Sequence, residues 1–199
     1  MQRFLLLIDE MSTWLGKTFA WCILLLTLAV SYEVFSRYVM RAPTTWAYDV
    51  EYILYGTLFM MAGAYTLSRN AHVRGDFVYR YFAPRNQAIL DLVLYCLFFF
   101  PAILAFIYAG WNFFHLSWAQ NEHSVNSPAG PVIWPFKLLI PIVGGFMLLQ
   151  GIAEVIRCIR CIHSGDWPQR LHDVEEMEKL ILEQTEAEKQ RLEAAETGR

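Results

Sequence analysis

Four stretches of this chain run without a single Asp, Glu, Lys or Arg: residues 18–32, 52–68, 92–121 and 138–153. Flanking apolar residues extend each to the roughly 20 residues that cross a ~30 Å hydrocarbon core. The runs are continuously apolar and lack the two-residue alternation of a barrel strand, so helices are expected. The pattern predicts an all-α membrane protein with four transmembrane helices, over residues 13–38, 46–68, 86–118 and 132–161. The connector 40–45 is short, which makes the first two helices antiparallel neighbours. Pro101 falls inside the third helix and should bend it. A loop rich in Asn, Ser, Pro and Gly at 120–131 leads to the fourth.

The two ends of the chain have a different character. Phe4, Leu7, Ile8, Met11 and Leu15 recur at helical spacing around Asp9 and Glu10. This segment reads either as an amphipathic lead-in lying in the membrane interface or as a plain continuation of the first helix. The same two acids interrupt the apolar start, so a cleavable signal peptide is not expected. After Trp167 the chain turns polar and acidic. Trp167, Leu171, Val174 and Ile181 keep a short helical stripe, too brief for a coiled coil. We therefore expect a transmembrane domain over 1–165 and an acidic, partly helical or disordered cytoplasmic tail over 166–199.

Composition supports a membrane protein. Of the 199 residues 56% are apolar and only 18% charged, against about a quarter charged in soluble domains. The net charge of −3 arises from the acidic tail, and nothing suggests nucleic-acid binding. One set of connectors holds Arg3, Lys17, Arg69, Arg74, Arg80, Arg85, Arg157, Arg160 and Arg170, while the opposite set holds Arg37, Arg41 and Lys137. This asymmetry places both termini in the cytoplasm. Trp14, Trp46, Trp111, Trp118, Trp134 and Trp167 lie near span ends, as interfacial anchors do.

The candidate functional residues crowd between Glu33 and Asp76. Glu33 and Arg37 are four apart on one helix face, a favourable ion-pair spacing. Asp49 and Glu51 open the second helix, where acids suit the positive helix end. Arg37 and Arg41 are expected to reach those acids and fix the first two helices together, or to dock a partner. The alternative is ordinary interfacial charge, but a carboxylate such as Glu33 inside the last turn of a span is costly unless paired. At the far end of the second helix, Ser68, Arg69, His72, Arg74 and Asp76 form a polar knot. It reads as a packing element or as an anchor for lipid phosphates.

Other constellations carry less. Cys158 and Cys161 precede His163, but haem attachment needs His directly after the second Cys, and Ile162 stands there. A zinc site would need further ligands. Cys22 and Cys96 read as small apolar fillers. A four-helix haem anchor would need two histidines at one depth on two spans, and His72, His115, His123, His163 and His172 do not offer them. No metal or cofactor is expected, and no catalytic site. No span carries a row of acids or a broken half-helix pair, the marks of a transport pathway. The chain reads as a helper to a carrier, with a redox anchor or a free-standing small carrier as alternatives.

The ordered motifs Glu33-x3-Arg37-Tyr38, Pro43-x2-Trp46, Asp49, Glu51 and His72-Val73-x2-Asp76 resemble the small, DctQ-type membrane subunit of tripartite ATP-independent periplasmic (TRAP) transporters, over about residues 15–160. The resemblance implies a bacterial inner-membrane protein that packs against a large membrane subunit. It also implies support for docking of a periplasmic substrate-binding protein, with uptake of an organic acid usually driven by sodium. Carried over, Glu33, Arg37, Trp46 and Glu51 would be structural or interface residues on the periplasmic side. His72, Arg74 and Asp76 would form the knot on the cytoplasmic side. The family's acid near Trp46 corresponds to Asp49 or Glu51, and none of these residues would be a substrate ligand.

Overall fold

The computed structural model describes residues 2–69, 79, 81–168 and 185. The described residues form helices α1 (Gln2–Ala20), α2 (Cys22–Tyr38), α3 (Ala47–Ser68), α4 (Pro84–Leu94), a π-helical turn (Tyr95–Phe99), α5 (Phe100–Ala119) and α6 (Trp134–Ser164). Pro84 and Pro135 each stand in the first turn of a helix, where the missing N–H costs nothing. Trp21 separates α1 from α2 but keeps right-handed helical torsions. The two run on as one stretch, and the expected lead-in is its first part.

Pro101, expected to bend its helix, follows directly on a π-helical turn. It cannot donate to the carbonyl four residues back, and the chain widens into the π turn just ahead of it. The turn also aims Phe99 at Gly151 on α6.

Two helical hairpins make the bundle. α1 and α2 pack along α3, and the α4–α5 helix packs along α6; α3 and α6 join the hairpins, with α1 also touching α6. Small residues permit the close approaches. A Cβ added at Gly110 would lie 2.6 Å from Ile140, and one at Gly144 would lie 2.5 Å from Ile107. Such crossings suit membrane helices, whose association depends on tight contact.

The usual placement of side chains is inverted. The largest fully buried side chains are Arg157, Gln150, Glu154, Asp9 and Asp49, while Trp21, Leu28 and Tyr108 are more than half exposed. A protein in water would pay heavily for that surface, whereas one in lipid would not.

One expectation is corrected. Among the described residues three helical stretches, not four, are long and apolar enough to cross a membrane: Arg3–Tyr38, Pro84–Ala119 and Trp134–Ser164. The expected second span, now α3, falls short. Tyr48, Tyr52, Tyr55 and Tyr65, with Gly56, Gly63, Thr57 and Thr66, dilute its hydropathy, and Asp49 and Glu51 open it. Tyr52, Gly56 and Gly63 face α6 and Tyr65 faces α1, while Tyr48 and Tyr55 are more than half exposed.

Candidate functional site

Two polar clusters lie at opposite ends of α3. The first begins at Glu33, in the last turns of α2. Its Oε1 accepts from Arg37 Nε at 2.9 Å and from the same guanidinium's terminal nitrogen at 2.5 Å. Its Oε2 accepts from the Thr44 backbone N–H at 3.1 Å and from the Thr44 hydroxyl. One buried carboxylate thus clamps the connector back onto α2. The corner itself turns at Arg41, whose φ of 55° is left-handed. Ser36 holds it from both sides: the Ala42 N–H donates to the Ser36 carbonyl at 3.0 Å, and the Ser36 hydroxyl donates to the Ala42 carbonyl at 2.5 Å.

Trp46 stands just before α3 and stacks on Tyr32 of α2, with ring centroids 6.0 Å apart. Asp49 is fully buried. It accepts from the Ser124 hydroxyl at 2.5 Å and from the Ser127 hydroxyl, and so ties the 120–131 loop to α3. Arg37 pairs with Glu33, and serines satisfy Asp49, so the expected bridge from Arg37 and Arg41 to Asp49 and Glu51 is not what forms. Arg41 is exposed and Glu51 half-buried.

The same end holds a second ion pair. Lys137, near the start of α6, pairs with Glu122 and lies 3.8 Å from the centre of the Phe113 ring. The Lys137 ammonium holds the Glu122 carboxyl below its ordinary range.

At the other end of α3, Arg69 ends the helix with its guanidinium over the Tyr65 ring. Arg69 Nε is buried with no hydrogen-bond partner among the described residues. His72, Arg74 and Asp76, the rest of the expected knot, lie outside the described residues.

The densest cluster at this end was not expected. Asp9 of α1 meets Gln150, Glu154 and Arg157 of α6, all at most 1% exposed. Arg157 donates to Asp9 Oδ2 and to Glu154 Oε1, each at 2.5 Å. Gln150 donates to Asp9 Oδ1 at 2.9 Å and accepts from Ser12 at 3.1 Å. A signal was present: Gln150, Glu154 and Arg157 fall at i, i+4 and i+7, one face of a helix that is otherwise apolar. Nearby, Cys158 and Cys161 are buried against Ala88 of α4. They serve as packing groups there.

From Asp49 to Ser68 is 19 residues of helix, about 28 Å at 1.5 Å per residue. The polar clusters are thus separated by the thickness of a hydrocarbon core.

A family model for the DctQ component of tripartite ATP-independent periplasmic transporters matches residues 26–161. The chain belongs to this family. The match begins within α2 and ends in the last turn of α6, so it contains both ends of α3 and the α6 face of the Asp9 cluster. Helix α1 precedes it. The family is a transporter component, the small one of the TRAP system. No curated protein matched the chain.

Proposed function

We propose that this chain is the small permease subunit of a TRAP transporter, holding the large membrane subunit and supporting docking of the periplasmic binding protein during ion-coupled uptake of an organic acid. Sodium is the expected coupling ion. The observation that carries this reading is the family match over residues 26–161. The geometry agrees with it: the buried charges at both ends of α3 fasten helices and loops of the chain to one another. That is the work of a scaffold.

The reading includes a topology. Asp49 and Ser68 are a membrane thickness apart on α3, and α3 runs antiparallel to α2 through a short connector. We place α3 across the bilayer as a fourth crossing, carried by its neighbours and not by its own hydropathy. Lipid then meets α2 and α5 and the exposed Tyr48 and Tyr55, while Tyr65 meets α1 and Tyr52, Gly56 and Gly63 meet α6. With Lys and Arg concentrated at the Arg157 end, both termini lie in the cytoplasm of a bacterial cell and the Glu33–Glu51 end faces the periplasm. Glu33, Arg37, Trp46, Asp49 and Glu51 then shape the periplasmic face, and Arg69, His72, Arg74 and Asp76 the cytoplasmic one, beside lipid phosphates.

Coexpression of the tagged chain with the large subunit tests the reading. Purification in mild detergent should retain the large subunit in stoichiometric amount. Recovery of the chain without it would overturn the reading.

A further inference from the structure

Helix α6 is longer than a hydrocarbon core is thick. From Lys137 to Arg160 is 23 residues of helix, about 35 Å at 1.5 Å per residue. Arg160 therefore stands just past a ~30 Å core, at the depth of lipid headgroups. The helix stops at Gly165, whose φ of 85° is left-handed and whose N–H donates to the Cys161 carbonyl at 2.8 Å. The Ser164 hydroxyl braces this corner through the Arg160 and Asp166 carbonyls. Trp167 then packs beside Cys158 and Cys161, and its Nε1 donates to Gln87 Oε1 of α4 at 3.2 Å.

The corner walls an open cavity of about 600 Å³, lined by Arg160, His163, Asp166 and Trp167, with Ile159 among them. One terminal nitrogen of the Arg160 guanidinium is buried without a hydrogen-bond partner. A buried donor of this kind is costly unless an acceptor reaches it. His163, one turn on, offers a ring nitrogen. Asp166 brings an exposed carboxylate to the same cavity, and the negative end of α6 also favours a cation there. A bare anion would meet Asp166, and a bare cation would meet Arg160. A zwitterion satisfies both.

We propose that this cavity binds the headgroup of an aminophospholipid, with the phosphodiester on Arg160 and His163 and the primary ammonium on Asp166. Basic pockets at this depth suit lipid phosphates. Ile159, 43% exposed, continues the cavity onto the outer face of α6, so the acyl chains leave along it into the bilayer. The proposal needs only that α6 crosses the membrane. It goes beyond the functional reading and does not depend on the partner subunits.

Native mass spectrometry of the full chain, purified from membranes in mild detergent, tests it. The probes are phosphatidylethanolamine, phosphatidylglycerol with the same acyl chains, and inorganic phosphate. The expected result is one retained phosphatidylethanolamine, preferred over phosphatidylglycerol and not displaced by inorganic phosphate. Arg160→Gln should lower its retention roughly tenfold, as the loss of a hydrogen bond to a charged group does. Asp166→Asn, a change at an exposed position, should erase the preference between the two lipids. Arg85→Gln, which removes an exposed charge outside the cavity, should change nothing. No retained lipid, an unaltered preference in Asp166→Asn, equal loss in Arg85→Gln, or displacement by inorganic phosphate would each overturn the site.

Discussion

Arg157 and Asp9, 148 positions apart in the chain, form an ion pair of 2.5 Å whose side chains are 1% and 2% exposed. The pair fastens the first helix to the last. Glu154 shares the guanidinium at 2.5 Å, so the single charge of Arg157 serves two carboxylates. Removing a single partner from a buried charge group strands what remains. Arg157→Ala should therefore lower stability by about 3–5 kcal/mol, read as a fall in melting temperature in detergent. Asp9→Ala and Arg157→Ala together should cost less than the sum of the two, because the second change removes a charge the first has orphaned. Strict additivity would mean that the pair is not coupled.

Glu33 should matter more than Arg37. The carboxylate is buried and also holds Thr44 through both the backbone N–H and the hydroxyl, while the Arg37 side chain is 55% exposed. Glu33→Ala should free the connector after Tyr38 and reduce the amount of large subunit that co-purifies, whereas Arg37→Ala should have a smaller effect. Pull-down yields of the two variants measured side by side check the order, and the reverse order would contradict the clamp.

Asp49→Ala should release the loop between α5 and α6. Ser124 and Ser127 both donate to Asp49, and each lost bond to a buried charged group is worth roughly 1.5–3 kcal/mol. Hydrogen exchange is the direct measurement: backbone amides over 124–130 should exchange faster in the variant, while those of α5 and α6 stay protected.

Acid should loosen the same end. Glu122 is held below its ordinary pKa of 4.5 by Lys137. A carboxylate with a depressed folded pKa contributes stability that is present above its unfolded value and lost as pH falls through the folded one. Melting temperature followed from about pH 6 to about pH 3 should therefore fall less steeply in Lys137→Met than in the parent chain, since the variant has no ion pair left to lose. Equal slopes would show that Glu122 draws nothing from Lys137.

Helix boundaries were readable because an apolar run ends where charge or proline begins; the expected 46–68 became Ala47–Ser68. The Glu33–Arg37 pair was readable because both partners lie on one turn of one helix. Asp49 was misassigned for the same reason in reverse. Nearby arginines suggested a salt bridge, but its partners are serines 75 and 78 positions away. The Asp9–Arg157 pair was hidden by its 148-residue separation, although the polar face of α6 was visible. The second span was expected from a run free of charge, but the tyrosines, threonines and glycines of α3 leave its hydropathy short of a span.

The central claim is that this chain serves a carrier and is not one itself. Substrate uptake by reconstituted vesicles tests it most directly. Vesicles holding this chain with the large subunit, supplied with the binding protein and an inward sodium gradient, should accumulate substrate, and omitting this chain should abolish uptake. Uptake by vesicles that hold this chain alone, or full uptake without it, would contradict the account.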